Sequence, residues 1–217
     1  MEGTAKQQFI QSFFAAFEER IKRLPEIRTS FPDEAFTLCL VYIHRLASGH
    51  FGGKRGQNRR NFARALKQLS GNELFGMIHP REVKELAQEY CPSAVSFIES
   101  VAGRQPNALL AEDQLADEVR RSTLLDVEKG KLIDNLWRAS IANIAYDHIR
   151  VAEVHGAGSG GLSFDHSVYQ GRRGVTLDFE KFYDALRRIL EGVKEASLTS
   201  GHWFGNPNYL KELKRRS

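Results

Sequence analysis

Apolar residues recur at helical spacing through most of the chain, and that period constrains the fold more than any other feature. From Ala5 to Leu24, the residues Phe9, Phe13, Phe14, Phe17, Ile21 and Leu24 share one stripe, and Pro25 is expected to end the helix. Pro32 and Asp33 open a second helix through Phe36, Leu40, Ile43 and Leu46, which the glycines of SGHFGG close. A basic helix follows, then a short ELFGMI segment, then a helix that Pro80 starts and Pro92 interrupts. Gly103 to Asn107 is the expected break between two halves. The second half reopens near Glu112 and includes one long helix over about Val127 to Val154. Past a glycine-rich stop, two short segments, Leu162 to Val168 and Gly174 to Leu177, predict a hairpin turning at Gly171 to Gly174. A last helix over about Phe179 to Ala196 has Asp178 as N-cap and a core stripe of Phe179, Phe182, Tyr183, Leu186, Ile189, Leu190 and Val193. The expected fold is all-α: a helical bundle with a small β-hairpin before the last long helix, one domain over 1–217 whose N-terminal helical half spans about 4–102.

The 217 residues suffice for one domain with a full core. No apolar run approaches the roughly 18 residues of a membrane span, so no membrane association is expected. The start MEGTAKQQFIQSFF reads as an amphipathic helix with mixed charges, not as a secretory signal. Cys39 and Cys91 stand apart in apolar helical settings without a CxxC partner and are expected to be reduced core thiols of a cytoplasmic protein.

The net charge of +4 is mild, but Lys54 to Lys67 (KRGQNRRNFARALK) carries six positive charges and no acid. Within it Arg60, Arg64 and Lys67 fall on one helical face and Phe62, Leu66 and Leu69 on another. Such a ridge on a packed helix is either a solvated face or a contact for the phosphates of an anionic polymer.

Cofactor and metal motifs fail on context. Gly156, Gly158 and Gly161 satisfy GxGxxG, yet they follow a helix and precede a strand, the reverse of the order that aims a helix N-terminus at a pyrophosphate. GHFGGKRG lacks the Lys-Ser/Thr pair of a phosphate-binding loop, and His166 beside Asp165 lacks further ligands at metal spacing. There is no HExxH and no GxSxG. Neither a cofactor nor a metal is expected.

Chemistry is expected instead from an arginine and a histidine separated by four residues, a permanent cation with a rigid fork of donors beside a group that titrates near neutral pH. The spacing occurs twice, at Arg45 with His50 and at Arg150 with His155, so context decides. In YDHIRVAEVHGAGSGG, Arg150 shares a polar helix edge with Asn143, Tyr146 and Asp147, which are expected to orient it, while His148 is expected to pack in the core beside Ile141 and Ile144. His155 lies about 140° around a continuous helix from Arg150. The pair converges only if the helix ends at Gly156 or a second subunit supplies one member. The first pair is followed by the basic helix and could contribute binding residues to a shared groove.

The order of long helix, RVAEVH, glycine, turn-rich hairpin and final amphipathic helix resembles the HEPN family over about 112–196, roughly 85 residues. That resemblance implies a compact helical protein, a homodimer, and metal-independent endoribonuclease activity at a dimer cleft, with RNA as substrate and Arg150 and His155 as the catalytic pair. Arg172 and Arg173 of the hairpin would hold flanking phosphates. It implies a toxin or defence component. A second reading, an inactive dimerisation or nucleic-acid-binding module that partners a toxin or defence protein, stays open because Val151 stands where the family usually has a polar residue.

Overall fold

The computed structural model describes residues 2–53, 56–105, 107–150, 161–204, 211 and 215. It is mostly helical, with two small antiparallel two-stranded sheets among the described residues. Helix α1 (Glu2–Lys22) buries Ile10, Phe14, Phe17 and Ile21 along the expected stripe. Pro25 does not simply end it: proline suits the first turn of a helix, and it sits in that turn of the short α2 (Leu24–Ser30). Helix α3 (Pro32–Phe51) and the basic helix α4 (Asn58–Leu69) follow as expected. The amide of buried Asn61 donates to the Gly52 carbonyl at 2.8 Å, which fixes how α4 returns against α3.

A 3₁₀ turn (Glu73–Gly76) and strand β1 (Met77–Ile78) lead to α5 (Pro80–Tyr90), α6 (Val95–Arg104), β2 (Leu110–Ala111), α7 (Glu112–Arg121) and α8 (Asp126–Asn135). The expected long helix over Val127 to Val154 is not continuous. It tightens to 3₁₀ at Leu136–Ala139, breaks at Ser140 with extended backbone (φ −71°, ψ 148°), and restarts as α9 (Ile141–Ala145). A π-helical turn, Tyr146–Arg150, completes it. The cause is local. Ser140 accepts the amide of Asn143 through its hydroxyl, as an N-cap does, while the freed Ala139 carbonyl accepts from the backbone N–H of His79. The π turn carries an extra residue per turn, which shifts the phase of the stripe. His148 is therefore exposed, not in the core as its spacing predicted.

The hairpin forms from β3 (Leu162–Tyr169) and β4 (Arg172–Leu177). Its turn is shorter than expected: Gln170 (φ 50°) and Gly171 (φ 74°) alone make it, in the left-handed geometry that matches strand twist, so Arg172 and Arg173 are strand residues. Helix α10 (Phe179–Ser200) closes the bundle with Asp178 accepting from the Lys181 amide, and its predicted stripe is buried apart from Tyr183, which is partly covered.

Buried residues form two clusters. The larger joins α1 to α4, α9, β4 and α10; the smaller joins Ile78, α5 to α8 and the 3₁₀ turn at Leu136–Ala139. Cys39 and Cys91 are buried free thiols, one in each. The clusters meet at the Ser140 break, where Ile78 bridges Ser140, and at the hairpin, where Ser167 bonds His79 Nε2 at 3.0 Å.

Gly161 opens β3 at φ +116°, and a Cβ there would stand 2.3 Å from the Leu177 carbonyl oxygen. Gly161→Ala is expected to destabilise the fold by about 1–3 kcal/mol. Gly76→Ala, whose Cβ meets nothing within 4 Å, should stay within about 0.5 kcal/mol. Urea unfolding of both variants checks the contrast.

Candidate nucleic-acid interface

Helix α4 packs against α9 and the π turn, which brings the basic segment to the turn that ends in Arg150. The link is Arg59. Its Nε donates to Asn143 Oδ1 at 2.7 Å and its Nη2 donates to Asp147 Oδ2. Asn143 is buried, and its amide nitrogen donates in turn to the Arg138 carbonyl at 2.5 Å. Arg59 lies in the basic run but off its Arg60, Arg64, Lys67 stripe, so periodicity did not single it out. Only the fold supplies its carboxylate, 88 residues away.

Two of the three residues expected to orient Arg150 are thus engaged by another arginine. The third, Tyr146, turns its ring edge-on to Phe62 at 5.4 Å and packs on the core. The backbone of Arg150 closes the π turn, and His155 lies outside the described residues.

The ridge itself forms as expected, and each member has an aromatic or acidic neighbour. Arg60 lies over the Trp137 ring at 5.8 Å and Arg64 over the Phe51 ring at 4.1 Å, while Lys67 pairs with Glu112. Arg64 and Arg60 stand close enough for their charges to interact: burial first and Arg60 second lower the Arg64 pKa. Arg172 and Arg173 lie elsewhere. Their hairpin tip, through Tyr169 and Gln170, lines a cleft of about 430 Å³ with Ser70, Gly71, Asn72 and Glu73, past the C-terminal end of α4. The π turn is held at the other end, about 16 Å along the helix axis.

The first Arg/His pair does not converge. Helix α3 runs unbroken through Arg45 and His50, so they diverge by about 140°. Burial, then the charge of Arg64, pushes the His50 pKa down to about 4, so the imidazole is neutral at physiological pH and cannot serve as a proton donor there. It flanks the ridge as a half-buried ring edge-on to Phe51.

Across the π turn the electrostatics reverse. Burial raises the Asp147 carboxyl above its ordinary value although Arg59 and His148 lower it, and burial followed by Glu85 does the same to Glu82. Among the described residues no group of three or more His, Cys, Asp and Glu could hold a metal ion. No helix is long and apolar enough to cross a membrane. Comparisons with family models, with characterised proteins and with solved structures find no match.

Asp147 sets a pH prediction. Its folded pKa is raised, so the folded state holds the proton more tightly than the unfolded chain, and ionisation costs stability as pH climbs through the ordinary carboxylate range. Asp147→Asn is expected to equal or exceed the parent protein in stability at pH 7, with the difference closing below pH 4. Destabilisation at pH 7 in urea unfolding would show that the Arg59 ion pair outweighs burial.

Proposed function

We propose that the protein binds RNA along α4 and cuts it without a metal, using Arg150 and His155. The observation that carries the proposal is the Arg59 clamp, which seats a helix bearing three further cations directly on the turn that ends in Arg150. A polyanion lying on Arg60 and Arg64 would pass beside that turn. The resemblance of 112–196 to HEPN proteins supplies the chemistry. The ribose 2′-oxygen attacks the adjacent phosphorus, the bond to the 5′-oxygen breaks, His155 moves the protons, and Arg150 neutralises the phosphorane. The same resemblance supports a homodimer with the two Arg150 to His155 segments near the twofold axis, and a role as a toxin or defence component.

A second reading, RNA binding without cleavage, is favoured by the use of Asn143 and Asp147 on Arg59 and by Val151 beside Arg150. One assay separates them: RNA cleavage in excess chelator. The parent protein is expected to cleave, and His155→Ala to lose about 10² or more in rate with an unchanged melting temperature. Binding without cleavage by the parent would establish the second reading.

Salt dependence tests the ridge. Replacing Arg60 and Arg64 by glutamine is expected to reduce the log–log salt slope of RNA binding by about two. Adding Lys67→Gln should change it less, because Glu112 already neutralises Lys67. An unaltered slope in the double variant would return the ridge to a solvated face.

A further inference from the structure

Resting on that reading and extending it to the class of RNA, we propose that the cleft between α4 and Trp137 takes one unpaired base of a single strand. The cleft has a volume of about 280 Å³ and is lined by Arg60, Arg64, Lys67, Glu112, Asp134 and Trp137 among others. That volume is at the lower edge of the roughly 300–1,000 Å³ of small-molecule sites, room for a ring system and not for a helix.

Charge decides which part of a nucleotide enters. Two carboxylates, Glu112 and Asp134, face the cleft with the three cations. Lys67 is occupied by Glu112, and Asp134 has no ion-pair partner among the described residues. A phosphate entering past this exposed carboxylate would be repelled by it. A base would not, because the amino and imino hydrogens of its edge are donors to an aspartate. Phosphates are therefore assigned to Arg60 and Arg64 at the rim and the base to the interior.

Geometry supplies the stacking surface. Arg60 lies over the indole at 5.8 Å, whereas a base held between the two needs about 7 Å, two contact layers. Arg60 is exposed and has no ion pair among the described residues, so a shift of about 1 Å opens the slot. Arg138 also lies over the indole at 5.7 Å and is tethered to the Tyr90 hydroxyl at 2.8 Å, which limits rotation of the Trp137 ring. Bases in a duplex are already stacked and paired and cannot reach this surface; bases of a single strand can.

The test uses Trp203→Phe protein, in which Trp137 is the sole tryptophan of the two in the chain. It is titrated with a 2′-O-methyl oligonucleotide, which cannot be cut by its own 2′-oxygen, as a single strand and as a duplex. The single strand is expected to quench Trp137 fluorescence in step with binding and the duplex to leave it unchanged. Trp137→Leu should weaken single-strand binding about tenfold and spare the duplex. If Trp137→Leu fails to fold, the quenching alone decides. Equal affinity for both forms, or single-strand binding without quenching, overturns the base site. Quenching in a protein that never cleaves RNA upholds the base site while removing the nuclease, cleavage without quenching does the reverse, and absence of RNA binding removes both.

Discussion

The architecture around the candidate interface depends on one guanidinium. Arg59 presents two donors in a fixed fork, and the fold offers it two acceptors at the right separation, the Asn143 carboxamide and the Asp147 carboxylate. Asn143 has no room to compensate for a lost partner. It is buried, its amide nitrogen is committed to the Arg138 carbonyl, and its backbone N–H is committed to Ser140. An orphaned buried acceptor there would cost about 1–3 kcal/mol. The clamp thereby ties together the first turn of α4, the break at Ser140 and the π turn.

That arrangement separates two electrostatic environments. On one side of α4, arginines lie over Trp137 and Phe51 and present cations that a polyanion can reach. At the π turn, partly buried Asp147, and Glu82 near it, hold their protons more tightly than free carboxylates do. His50, nearest the ridge, is kept neutral by burial and by Arg64, so it contributes a ring and not an acid. The Arg45 to His50 pair therefore offers no acid–base chemistry near neutral pH, and the proposed chemistry rests on Arg150 and His155.

Much of the helical plan was legible in the chain because strong local signals coincide with burial. Pro32, Pro80 and Asp178 each stand at a helix start, and Phe179, Phe182, Leu186 and Ile189 give a period that packing preserves. The Ser140 break was hidden since Ile133, Trp137, Ile141 and Ile144 keep helical phase across it, while its causes are a hydroxyl cap and a carbonyl captured by His79 from a distant segment. The exposure of His148 follows from a π turn, which local spacing does not reveal. At the site, the ridge was visible as a period within α4, but Arg59 was not, because its acceptors are far away in sequence. Trp137 belongs to that same apolar phase; its place beside Arg60 is a product of tertiary packing.

The proposed RNA-contacting surface joins α4 and the π turn. Hydrogen–deuterium exchange of the full chain with and without saturating 2′-O-methyl single-stranded RNA tests it most directly. Protection is expected to rise together in Asn58–Leu69 and in Tyr146–Arg150 as RNA is titrated. Protection confined to one of the two segments, or to neither while RNA is bound, would contradict the account.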